Sequence, residues 1–160
     1  MTTAEILAKQ IRGACVGPSG FDVALMDSLQ AVTPEIAMRK PSGATHSIWE
    51  LLLHIVNWEE IDTRRLNGEF IQWERDAEMD WPSLERRNEA AWQELLARVD
   101  RSNAKFAETV SKLTDTELAT PTTGRKDTRH LMILGMLQHS VYHAGQIVIL
   151  KKLIAAERQA

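Results

Sequence analysis

Apolar residues along this chain recur at spacings of three and four, and no stretch of strand length alternates apolar with polar residues. The pattern predicts helices joined by loops. Thr2-x-x-Glu5 is a capping box that opens a first helix through Ile6, Leu7 and Ile11. Gly17-Pro18-Ser19-Gly20 breaks or kinks it, and helix resumes from Phe21 through Leu29. Thr33 followed by Pro34 and Glu35 reads as an N-cap with proline at the first helical position, which gives a short extra turn. After a loop at 40–45, Ser47-x-x-Glu50 caps a second long helix with the stripe Leu51, His54, Trp58, Ile61, ended by Asn67-Gly68. Residues 69–82 read as an irregular connection carrying Trp73 and Trp81. A third helix is expected after Pro82-Ser83, where Trp92, Leu95, Val99, Phe106, Val110 and Leu113 keep close to a heptad with Ser102 at the missing place. Thr114-x-x-Glu117 caps another short turn, and 121–124 is a loop. The fourth helix is capped by Asp127 or Thr128 and runs to about Ala156. Leu131, Ile133, Leu134, Leu137, Val141, Val148 and Ile149 make it apolar on several faces, as expected of a central helix or one in an oligomer interface. Four long helices point to an all-α antiparallel four-helix bundle, one domain over 1–160.

Composition narrows the class. The 160 residues are 44% hydrophobic, enough for one core, and 18 Ala and 17 Leu against 8 Val and 1 Tyr favour helix over strand. Nineteen basic residues against 22 acidic give a net charge of −3, which argues against a nucleic-acid partner. The lone Cys15 has no internal disulfide partner. The N-terminus carries charges every few residues with no apolar core of a signal peptide. The longest apolar runs, Leu131–Leu137 and Ile147–Leu150, fall far short of the roughly 20 residues of a membrane helix. A soluble cytoplasmic protein is expected.

Five histidines remain. On the fourth helix, Met132, Met136, His139, His143, Ile147, Leu150 and Ile154 form one stripe, so two histidines take core positions of an apolar seam. Four residues apart, they lie about 6 Å along the axis and roughly 40° around it, and their rings can converge. His54 faces inward in the same way between Leu51 and Trp58. Each could be a hydrogen-bonded core histidine. Three together would satisfy one divalent ion, and imidazole suits Zn, Ni, Cu and Fe(II). Three protein ligands leave a position for water or substrate. His46, beside the capping Ser47, is expected to pack at the helix entrance, and His130 to be solvated. Helical spacing makes Glu50, Asn57 and Gln146 candidates to orient a ligand ring, Glu50 being also a weak candidate general base. The capping box already accounts for Glu50.

The segments HSIWELLLHIVNWE (46–59) and QHSVYHAGQIVILKK (138–152) resemble the two signature segments of the DinB-like superfamily, and IRGACVGPSG (11–20) resembles its first helix and kink. That superfamily is named for damage-inducible bacterial proteins and includes YfiT-like proteins described as metal-dependent hydrolases. The resemblance implies an up-down-down-up bundle, commonly a homodimer, with 69–82 as the long crossover. It implies one divalent metal, nickel or zinc with iron or manganese as alternatives, on His54, His139 and His143. Where many relatives carry a histidine or an aromatic residue shortly after the kink, this chain has Phe21-Asp22. Some relatives resemble S-transferases or isomerases that use low-molecular-weight thiols. The function expected is therefore metal-dependent S-transfer with such a thiol, acting on a small molecule. A hydrolase with metal-activated water, or a non-catalytic stress-related binding protein, are the alternatives.

Overall fold

The computed structural model describes residues 1–18, 23–71, 80–83, 86–123 and 125–157. Among them the chain is mostly helical and has no strand; a single isolated bridge pairs Pro121 with Thr128. Four long helices, α1 (Thr3–Val16), α4 (Ile48–Leu66), α5 (Glu89–Ser111) and α7 (Arg129–Glu157), are joined through the short α2 (Leu25–Ser28), α3 (Pro34–Met38) and α6 (Asp115–Leu118).

The ends of these helices follow local chemistry. Thr2, Ser47 and Thr114 form capping boxes with Glu5, Glu50 and Glu117. Thr33 caps α3 with Pro34 in its first turn. Thr128 caps α7 by accepting from Leu131 N–H, while Asp127 pairs with Arg125 instead. Gly17 leaves α1 at φ +74°, and Gly68 follows α4 at φ +91°, conformations that a Cβ disfavours. Two boundaries depart from expectation. Helix resumes only at Leu25, because Val23 and Ala24 are not helical and Ala24 is extended with no side chain to cap with. The third long helix begins at Glu89 rather than directly after Pro82-Ser83, because Asn88 supplies its cap through Ala91 N–H. Phe21-Asp22, Trp73 and Gly124 lie outside the described residues.

α1 packs on α5 and α7, and α4 packs on the same two helices from the other side. Trp49 meets Trp92, and Glu59 reaches Ser102 and Asn103, so α4 and α5 run in the same direction. The core draws Leu7 and Ile11 from α1, Leu52 and Ile55 from α4, Val99 and Phe106 from α5, and Ile133, Ile147 and Ile154 from α7. The α7 stripe predicted from spacing is the face turned inward, with His139 its only member that is not fully buried. The other apolar positions on α7 divide. Ile133 is buried, whereas Leu131, Val141 and Ile149 are exposed. No helix among the described residues is long and apolar enough to cross a membrane.

Candidate metal centre

His54 sits near the middle of α4, and His139 and His143 project from α7 one turn apart. The three side chains meet between the two helices, and one ring nitrogen from each lies within 4.8 Å of the other two. Nε2 of His139 is 2.8 Å from Nε2 of His54 and 3.0 Å from Nε2 of His143.

The outer nitrogens fix the tautomers. Nδ1–H of His54 donates to the Asp80 carbonyl at 2.6 Å, and Nδ1–H of His143 donates to Gln146 Oε1 at 2.6 Å. Both Nε2 atoms then carry lone pairs aimed at the same point, and at most one proton, that of His139, lies among the three. Nδ1 of His139 is buried with no hydrogen-bond partner among the described residues. Among the described residues its hydrogen bonds therefore run only to the other two histidines.

Burial pushes all three histidines below their ordinary range. The shift is largest for His139, lowered to about 3 by burial and then by the neighbouring His143 and His54. The hydrogen bond to Asp80 opposes the shift at His54, and the one to Gln146 opposes it at His143. Neutral rings at neutral pH are what coordination needs, since a metal displaces the proton it competes with. Nitrogens held at ~2.1 Å by one tetrahedral ion lie ~3.4 Å apart, a few tenths of an ångström beyond the distances seen. The donor set fits a divalent cation.

A second layer holds the rings. Trp81 stacks between two imidazoles, 4.1 Å from His54 and 3.4 Å from His46 between ring centroids, nearly parallel to both. Asp80 Oδ1 accepts from Trp58 Nε1–H at 3.0 Å and lies 3.5 Å from His54 Nδ1. Asp80 and Trp81 come from the connection between α4 and α5. The signal available in the sequence was an aromatic residue beside an acid in a connection that also carries Phe70, Ile71, Trp73 and Met79, with no sustained periodicity to say which way either points.

The remaining sequence candidates separate. Gln146 touches His143. Glu50 spends its carboxylate on Ser47 N–H at 2.7 Å and on Lys40 at 2.9 Å. Asn57 is half-buried on α4. His46 packs at the helix entrance through its Trp81 stack, and His130 is half-buried in the first turn of α7. A cleft of about 350 Å³ opens on His54 and His139 and is also lined by Asp62, Asp80 and Arg125. Asp62 lies eight residues after His54, on the same face of α4.

The sequence pattern of the DinB superfamily matches residues 23–147, which include all three histidines. The chain belongs to the DinB superfamily. No curated protein and no solved structure matches it. As a DinB-superfamily protein it carries three histidines that could hold a metal ion.

Proposed function

We propose that this DinB-superfamily protein is a divalent-metal-dependent enzyme that uses a low-molecular-weight thiol for S-transfer to a small molecule. Its reading as an up-down-down-up four-helix bundle is supported by the parallel run of α4 and α5. The observation that carries the functional reading is the convergence of three imidazoles beside an open cleft that two of them, His54 and His139, line. A site meant only to store a metal has no need of that opening. His54, His139 and His143 would hold the ion, nickel or zinc by their nitrogen donors. When bound, a divalent ion supplies Lewis acidity that brings a coordinated thiol or water toward ionisation near neutral pH. The Asp80 carbonyl and the Trp81 ring orient His54, and Gln146 orients His143. Trp58, Met132 and Met136 form the apolar lining of the cleft and restrict bulk water.

A hydrolase is the second reading, and Asp62 favours it. Burial raises its carboxyl above the usual range against the opposing Arg65, and it lines the same cleft as a group able to take a proton from water. We further propose a cytoplasmic homodimer. The exposed Tyr142, Ile149 and Leu153 recur along one side of α7 and suit a second copy of this chain.

Metal analysis of purified protein is expected to find about one divalent ion per chain, lost in His143→Ala. Full retention by that variant would overturn the site. On metal-loaded protein, bacillithiol, glutathione or mycothiol is expected to raise the melting temperature. No rise with any of the three would favour the hydrolase or a binding protein.

A further inference from the structure

The cleft does not end at the histidines. Trp58 and Asp62 follow His54 at four and eight residues along α4, so the groove runs about 12 Å at 1.5 Å per residue. Arg125, in the loop before α7, lines the same groove. The walls between are apolar, from Trp58, Met132 and Met136. Gly135 also lines it, inside the 29-residue α7, and a Cβ built there meets no atom within 4 Å. Glycine is a poor residue for a helix interior, and here its position keeps the groove open.

Among the described residues, the two acids of the groove, Asp62 and Asp80, each have a partner, and Asp62 also feels the charge of Arg125. Asp62 Oδ1 accepts from the fully buried Arg65 at 3.0 Å, and Asp80 Oδ1 accepts from Trp58. Arg125 holds Asp127, whose carboxylate is more than half exposed at the surface. A guanidinium fork has donors for more than one carboxylate. A divalent ion held by three neutral rings would add its positive charge to that of Arg125, against the carboxylates of Asp62 and Asp80.

We propose that this groove takes an elongated small molecule whose reactive end lies at the three histidines, whose apolar body lies along Trp58, Met132 and Met136, and whose terminal carboxylate is held by Arg125. This rests on the metal-dependent reading above and assigns it a substrate class.

Isothermal titration of zinc-loaded protein with straight-chain ω-mercaptocarboxylic acids, their primary amides and the matching sulfur-free acids tests it. The acids are expected to bind about ten- to a hundred-fold more tightly than the amides, the weight of one charge-assisted hydrogen bond. Arg125→Gln is expected to remove that preference, and Arg125→Lys to retain most of it. Gly135→Leu is expected to weaken every probe by about tenfold or more while melting no earlier than the wild type, since a better helix former enters open space. Equal binding of acids and amides by the wild type, or unchanged binding by Gly135→Leu, would overturn the proposal. Sulfur-free acids that bind as well as the mercapto acids, with the preference over amides intact, would support the groove and overturn the thiol. If the protein takes up no zinc, the metal reading fails, and the sulfur-free acids against their amides on metal-free protein still decide the role of Arg125.

Discussion

Burial raises the Glu59 carboxyl to about 7, because its charged form loses water and recovers only two hydrogen bonds, from Ser102 and Asn103. The folded protein then holds a proton on Glu59 that the unfolded chain has released above its ordinary value of 4.5. The Glu59 contribution to folded stability falls as pH rises between those two values, by on the order of 3 kcal/mol for a shift of this size. The histidines act in the opposite sense. Their folded values lie below 6.5, so the unfolded chain binds the extra protons and metal-free protein loses stability as pH falls below 6.5. Urea titrations of metal-free protein across pH 5–8 record the sum of the two contributions, which oppose each other below 6.5. Glu59→Gln should keep the neutral hydrogen-bonding shape, flatten the loss toward high pH and leave the acid limb in place. An unchanged slope in that variant would mean the carboxyl is already ionised in the fold. Nothing in the spacing on α4 singles out Glu59, and only the opposing Ser102 and Asn103 explain how a carboxyl lies there with 2% of its surface exposed.

α4 is the helix on which the site depends, and its start is set two turns before His54. Ser47 accepts from Glu50 N–H, and Glu50 returns a bond to Ser47 N–H. Ser47→Ala is expected to cost about 1 kcal/mol of stability, measured by thermal or urea unfolding, and to leave metal stoichiometry unchanged because the histidine lies beyond the frayed turn. α7 shows what periodicity can and cannot say. Its spacing of three and four gives the inward stripe from Met132 to Ile154, and that face is buried. Its remaining apolar residues give no single face, because the helix is apolar nearly all round, and packing decides that Ile133 is covered while Ile149 is not.

Across the molecule, the exposed apolar residues of α7 are the feature that one chain leaves unexplained. Tyr142 is 64% exposed, Ile149 59% and Leu153 45%, along a helix whose opposite side fills the core. Isolated exposed apolar residues are ordinary, but this row at helical spacing is the surface on which the proposed homodimer would form. Sedimentation of the wild type is expected to show a dimer, and Ile149→Glu a monomer that still binds metal. A monomeric wild type at micromolar concentration would reject the homodimer. The three histidines come from two helices, so ion binding should also raise the melting temperature with the logarithm of the free metal concentration.

Periodicity, capping boxes and glycine breaks by themselves determined that the chain is helical, where most helices begin and end, and that His54, His139 and His143 share inward faces. These are local properties, fixed by 3.6 residues per turn and by the side chains next to each helix end. Two helix starts escaped them, at Leu25 and Glu89, where the decisive residue is a weak or alternative cap. Tertiary structure alone decided that the three rings meet at one point, that Asp80 and Trp81 arrive from an aperiodic connection to hold His54, and that Glu50 is spent on a cap and on Lys40. It also placed Asp62 and Arg125 on the cleft shared with His54. The connection showed no sustained period from which its side-chain directions would follow, although Asp80 is helical in the fold, and contacts between distant segments exist only once the helices have packed.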